Sequence, residues 1–586
     1  MKTNRLHFVL PACFLTCSSL LLPGAQGGRP SLSPEESQWA RDTLSQMTLD
    51  EKIGQMIVPT LSAAFTNVES DIFKQIERNI ARLHVGGYHS FAGDPAALGV
   101  LVNRMQKIAK IPLLMTADLE GGPGYQFANA TRIPRAMALG ATGSEDLVYQ
   151  AGKITAVEGR AMGISVNFYP VVDVNNNPRN PIISIRSFGE DPAQVARMAR
   201  AYIRGVQQNG QIATAKHFPG HGDTSSDSHL ELAVIDVSED RLNRIELPPF
   251  QASIDEGVGA VMTAHIYLPQ LETERGLPAT LSSAILTRLL RGKLGFNGLI
   301  FTDAMTMQGV AAHYTPEEAT LRAVKAGADI VLMPVDDLRS FEALRAAVAA
   351  GDIPVARIEA SARRILEAKA KLGLHKNRFV DLTTLDVTVG SAEHKSLAQT
   401  IMEKAVTLVR DDKKILPLRL DPERRVLNLT ILDAGGGWRE GPPGQAFRQE
   451  LARRHAHVTS VQIDERTPKD AIDILKKLAD ASDVIIANGF IRVAAYKGSI
   501  DLNHEQLELL RYLSGLDKPF IFTLFGSPYL LSFVPELPTY ILAYEYYPEA
   551  ERAVLRAILG DMAFAGRLPV SLPGNYPIGH GLTAGP

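Results

Sequence analysis

IATAKHFPGHGDTSSDSH, residues 212–229, sets a short apolar run directly before a loop crowded with ionisable side chains. A buried parallel strand reads as a continuous apolar run, and in an α/β barrel it ends at the face that carries chemistry. The same pattern recurs on both sides of this stretch. Upstream lie GQMIVPTL, VGGYHSF, IPLLMTAD and ISVNFYPVVDV; downstream lie GAVMTAHIYL, GLIFTDA and ADIVLMP. Helical patterns such as SDIFKQIERNI and PAQVARMARAYIRGVQQNG separate most of them. Eight such units predict a (β/α)8 TIM-type barrel over residues 36–375. Asp118, Asp173, Lys216, His217, His265 and Asp303 all fall at or near the C-terminal ends of the runs.

Beyond the barrel, residues 376–398 read as a polar linker. RVLNLTILDAG, HVTSVQI, SDVIIANG, PFIFTLFG and TYILAYEY then alternate with helical stretches. That alternation predicts a smaller, doubly wound α/β sandwich over 399–586. The fold class is therefore α/β throughout. At the other end, Lys2 and Arg5 precede an interrupted apolar stretch and small residues near Ala25. This is the layout of a signal peptide over residues 1–27, and it predicts an exported protein: periplasmic, extracellular or lipid-anchored. The run is too short and broken for a membrane span. Both cysteines, Cys13 and Cys17, lie inside the leader, so the mature chain would hold no disulfide and no thiolate site. A formal net charge of -3 gives no basis for binding nucleic acid.

The loop after the central run admits two chemistries. Asp227 and His229, two apart in extended backbone, can point to one side and form a carboxylate–imidazole dyad that donates and later takes back a proton. Alternatively His217, His221, Asp223 and His229 could ligate a divalent metal. Gly220 and Gly222 suit the unusual backbone such a loop needs. In LLRGKLGFNGLIFTDAMTM, residues 289–307, an amphipathic helix and a turn at Gly295 lead into a strand that delivers Asp303. A carboxylate there can attack an anomeric carbon, or simply cap the next helix. In TADLEGG, residues 116–122, Asp118 could accept bonds from sugar hydroxyls, and Glu120 could act as an acid. Arg186, in NPIISIRSFGEDP, residues 180–192, could hold oxygens with its planar fork or pair with Glu190 or Asp191.

Together these four segments resemble glycoside hydrolase family 3, and specifically its β-N-acetylglucosaminidase branch. The resemblance covers about residues 45–375, and AVTLVRDDKKILPL resembles the start of the family's second domain. It implies a retaining hydrolase that releases terminal β-linked N-acetylglucosamine. GLIFTD matches the family's nucleophile pattern, implying that role for Asp303. KHFPGHGDTSSDSH matches the branch's acid/base loop throughout, implying His229 as acid/base and Asp227 as its partner. Sugar contacts are implied for Asp118, Arg186, Lys216 and His217, with no metal and no cofactor. A β-glucosidase-type exo-glycosidase, a glycoside phosphorylase and a non-catalytic sugar-binding protein are the alternatives. One departure stands out: EGGPGYQF places Pro123 and Gln126 where the branch often carries arginines. No preference for muropeptide fragments is therefore carried over.

Overall fold

The computed structural model describes residues 32–438, 441–494, 497 and 501–585. The expected leader, 1–27, lies outside the described residues. All eight expected strands form. β1 is Ile57–Val58, continued past Pro59 as Thr60–Ala63; β2 is Gly87–Gly93, β3 Leu114–Ala117 and β4 Val166–Asn167. β5 is Ile212–Phe218, β6 Ala260–Thr263, β7 Leu299–Phe301 and β8 Val331–Leu332. Pairing is parallel at every step from β1 to β7. Phe301 bridges Ile330 at the foot of β8, and β8 pairs with the first two residues of β1. The pairings therefore run round a ring.

The strands are apolar on both faces because side chains fill the inside and helices cover the outside. Asp71–Arg82 is one covering helix. Ser70 caps it by accepting from the Phe73 amide, and Phe73, Ile76 and Ile80 form its buried face. Each such side chain contributes about 2 kcal/mol by leaving water. Asp191 caps Pro192–Gln207 in the same way through the amides of Ala193 and Gln194. The helix expected before Gly295 is present as a π-helix, Ala284–Lys293, and Gly295 adopts a left-handed φ of 69° that suits glycine.

The second domain holds a six-stranded sheet in the order 407–411, 539–542, 520–526, 484–491, 426–432, 458–463. Only the 407–411 edge is antiparallel. Residues 376–398 are more than a polar connector. Asn103 holds both the amide and the carbonyl of Val380 against the barrel. Ser391 caps a helix, Ala392–Ala405, that begins within this stretch and continues into the second domain. Met137, Ala138 and Ala141, from barrel helix Ala136–Thr142, sit in the second domain's core. The two units therefore share apolar packing beside the barrel mouth. Among the described residues no helix is long and apolar enough to cross a membrane.

Candidate active site

A cavity of about 320 Å³ opens at the C-terminal ends of the strands. Asp118, Arg186, Lys216, His217, His229 and Asp303 all line it. Asp227 stands behind His229 and is buried, with 1% of its side chain exposed against 23% for His229. Six side chains spread over 186 residues of sequence are thus brought to one opening, because each lies at the C-terminal end of a barrel strand or in the loop that follows one.

Asp303 leaves the end of β7. Its amide donates to Thr263 Oγ1 on β6, and its Oδ1 accepts from the Ala304 amide at 2.8 Å. Burial alone would raise its pKa. The surrounding imidazoles, His265 first, and the Ala304 amide hold the carboxyl below the ordinary carboxylate range. His265 is itself fixed: Nδ1 meets Thr280 Oγ1 at 2.8 Å, and Nε2 donates to the Ala304 carbonyl at 3.0 Å. Asp303 is therefore braced from the neighbouring strand.

The dyad forms, but not in extended backbone. Asp227 and His229 lie in a turn, where Asp227 Oδ1 accepts from the His229 amide at 2.9 Å and from His229 Nδ1 at 2.7 Å. A side-chain oxygen that accepts the amide two residues on makes an Asx-turn. This local closure, rather than strand alternation, puts the two groups on one side. Asn180 clamps the rest of the loop, donating to the carbonyls of His221 and Gly222 at 2.9 Å each. His221 Nε2 meets Ser228 Oγ at 2.9 Å, between the dyad partners in sequence. Gly220 has a φ of 129°, and a Cβ on Gly222 would collide with the Val174 carbonyl oxygen.

The four residues of the metal alternative do not converge. His217 turns to Asp173, His221 to Thr224 and Ser228, Asp223 to Arg241, and His229 to Asp227. Among the described residues no three His, Cys, Asp or Glu side chains are placed to hold a metal.

Around the other wall, Lys216 Nζ reaches Asp118 Oδ1 at 2.6 Å and Glu120 Oε1 at 2.8 Å. Arg186 grips Glu120 with two bonds of 2.8 Å, from Nε and from Nη2. Its partner is thus Glu120 rather than Glu190 or Asp191. Glu190 instead accepts from Ser571. Burial would raise the Glu120 pKa, but Arg186 and Lys216 hold it well below the ordinary value. A carboxylate so bound keeps no proton to give, which removes Glu120 as an acid. Asp118 is likewise held low: against burial, Lys216 and His89 favour its charged form.

Donor counting shows what is left for a ligand. Arg186 also donates from Nη1 to the Ile182 carbonyl and from Nη2 to His217 Nε2. Four of its five N–H groups are committed, and one of the three on Lys216 remains. Both nitrogens of His217 are occupied: Arg186 can only donate to Nε2, so Nδ1 donates to Asp173 at 2.7 Å.

The profile of the glycosyl hydrolase family 3 N-terminal domain matches residues 48–368, more than half of the chain and all of the barrel's share of this site. The chain belongs to glycosyl hydrolase family 3. It is a glycosidase by the relatives it resembles. A β-N-acetylglucosaminidase/β-glucosidase of Cellulomonas fimi is 31% identical over 563 residues, 92% of this chain and 96% of that one. A solved family 3 β-N-acetylglucosaminidase of Paenibacillus sp. str. FPU-7 is 33% identical with a TM-score of 0.80, covering 90% of this chain and 99% of that one. A solved β-glucoside phosphorylase is 29% identical with a TM-score of 0.83, covering 93% and 98%.

Some lining residues of this family 3 site were not readable as such. His89, within β2, stands 3.4 Å from Asp118 Oδ2; its place near the end of an apolar run was the available signal. Val493 and Ala494 reach the cavity from the second domain. Nothing in their own sequence marks them.

Proposed function

We propose that the chain is a retaining exo-β-N-acetylhexosaminidase in which Asp303 is the nucleophile and His229, steadied by Asp227, is the acid/base. The observation that carries this reading is that the braced Asp303 and the Asp227-bound His229 open into one cavity large enough for a single sugar ring. With Nδ1 tied to Asp227, Nε2 is the nitrogen that serves the substrate. Protonated, it gives its proton to the glycosidic oxygen as Asp303 attacks the anomeric carbon. The C–O bond to the leaving group breaks, and a glycosyl ester on Asp303 forms. Neutral His229 then takes a proton from water as the water oxygen attacks the same carbon. The ester breaks, and the sugar leaves with its β configuration. An imidazole serves both steps because its ordinary pKa lies near neutrality.

Asp118, held ionised, accepts from sugar hydroxyls. Arg186 and Lys216 each have an N–H left to donate, and His217 fixes the Arg186 fork in place. The preference for an N-acetylated sugar rests on the names of the Cellulomonas and Paenibacillus relatives and on the dyad loop. The leader-like N-terminus supports export.

A panel of nitrophenyl β-glycosides tests this reading. The N-acetylglucosaminide should be turned over at least about tenfold faster, in kcat/KM, than the glucoside, the discrimination one recognised substituent commonly gives. Proton NMR should show the β-anomer first. Faster glucoside turnover, or the α-anomer first, sinks it. The likeness to a β-glucoside phosphorylase favours one second reading, in which phosphate replaces water in the second step. Sugar 1-phosphate appearing only when phosphate is added would establish it.

A further inference from the structure

A second cavity, of about 260 Å³, lies between the domains. It shares Tyr125, Arg135, Val493 and Ala494 with the catalytic cavity, so the two adjoin. A sugar bound beside Asp303 would point its aglycone this way or toward solvent. The composition of the second cavity distinguishes the two.

Its walls are aromatic and its cations are unequally paired. Trp438 packs edge-on to Tyr546, with ring centroids 5.5 Å apart. Arg135 is compensated by Glu545 at 3.4 Å, and it donates to the Tyr546 hydroxyl at 2.6 Å. Glu551, at the far side, is occupied by the amides of Gly444 and Phe447. Arg492 differs from these. It follows the 484–491 strand, and its guanidinium lies 5.4 Å from the Trp438 ring centroid. Its backbone amide is held by Asp433, yet among the described residues no carboxylate pairs with its side chain. Its Nε, like that of Arg135, is buried with no hydrogen-bond partner, but Arg135 has the Glu545 carboxylate beside it. A buried guanidinium donor left unmatched is costly, and the shape of the fork suits a carboxylate.

We propose that this cavity receives the leaving group and selects one that bears a carboxylate, with Arg492 binding the anion and Trp438 and Tyr546 flanking the ring that carries it. The inference rests on the glycosidase reading above, and it names the class of aglycone that the same site prefers.

The test uses β-N-acetylglucosaminides of 3-(4-hydroxyphenyl)propionate and 4-hydroxyphenylacetate, each beside its own carboxamide. The methylene spacers keep the phenol's leaving ability nearly equal within a pair. The acid-to-amide ratio of kcat/KM should be about tenfold in at least one pair, the size of one charge-assisted bond in a partly exposed site. In Arg492→Gln that ratio should fall to less than about twofold. A ratio taken within one variant cancels any loss of folded protein. Equal rates for acid and amide in both pairs, or a preference that survives Arg492→Gln, overturns the inference while leaving the glycosidase reading intact. If the N-acetylglucosaminides are inert, the sugar specificity proposed above falls instead, and the acid-to-amide ratio is read on the matching β-glucosides.

Discussion

His229 Nδ1 and the His229 backbone amide both reach a single oxygen, Oδ1 of Asp227, at 2.7 and 2.9 Å. One carboxylate oxygen thus sets the backbone turn and the ring orientation together. A change at Asp227 should therefore disturb the position of the acid as well as its charge.

From that geometry, His229→Ala should lower kcat/KM about 10²- to 10⁴-fold on alkyl glycosides, whose leaving groups need protonation. On nitrophenyl glycosides, which leave unaided, the first step should suffer much less. Asp227→Asn should follow the same pattern more mildly. A Brønsted plot against leaving-group pKa checks this: its slope should steepen in both variants. An unchanged slope assigns the proton elsewhere.

Asp303→Asn keeps the size of the side chain and its bond from the Ala304 amide but removes the proposed nucleophile. Turnover should fall by at least about 10⁴-fold on every substrate, whatever the leaving group. Mass spectrometry of the wild-type protein with a slow 5-fluoro-glycoside should find the sugar on the peptide containing Asp303. Labelling at another carboxylate would remove the assignment.

Glu120 binds two cations that have little exposure to solvent. Glu120→Gln leaves Arg186 without its carboxylate and Lys216 with Asp118 alone, and breaking a buried pair costs on the order of 3 kcal/mol. The thermal midpoint should drop and KM should rise as Arg186 and Lys216 lose their anchor. The leaving-group dependence should stay as in wild type. A selective loss on poor leaving groups would return Glu120 to the role of acid.

Glu246 lies under the loop that carries Asp227 and His229, where its backbone and stem crowd Gly220 and its Oε1 accepts from Arg241. Burial pushes its carboxyl up to about 7, against the pull of Arg241. Between its ordinary value of 4.5 and about 7, the folded chain keeps a proton that the unfolded chain has lost. The unfolded state then binds fewer protons, so stability falls as pH rises through this window and the penalty is complete above it. Glu246→Gln removes the titration. Its stability relative to wild type should improve by roughly 2 kcal/mol between pH 4.5 and pH 8. Thermal melts at both pH values check this, and an equal difference at each would contradict it.

The barrel was legible because its strands are buried on both faces. Burial of that kind writes itself as apolar runs such as IATA and GLIF, whatever their partners. The positions of Asp303 and His229 were legible for a related reason: each is the first polar chemistry after such a run or in the loop that follows. The helix at Ala392–Ala405 had a readable cap in Ser391 but was hidden by its polar surface. The partner of Arg186 was misplaced because proximity in sequence favoured Glu190 and Asp191, whereas the structure pairs it with a residue 66 positions away.

Local pattern alone thus determined the strands, the motif-bearing loops and the family, since backbone periodicity and burial act over a few residues at a time. The tertiary structure decided which charges meet. Glu120 was tied up by one cation from the loop after β4 and one from β5, Asp227 reached His229 through a turn, and Arg492 came to the adjoining cavity from the other domain. Coulomb energy and desolvation depend on distance in space, and only closing the barrel and docking the second domain fixed those distances.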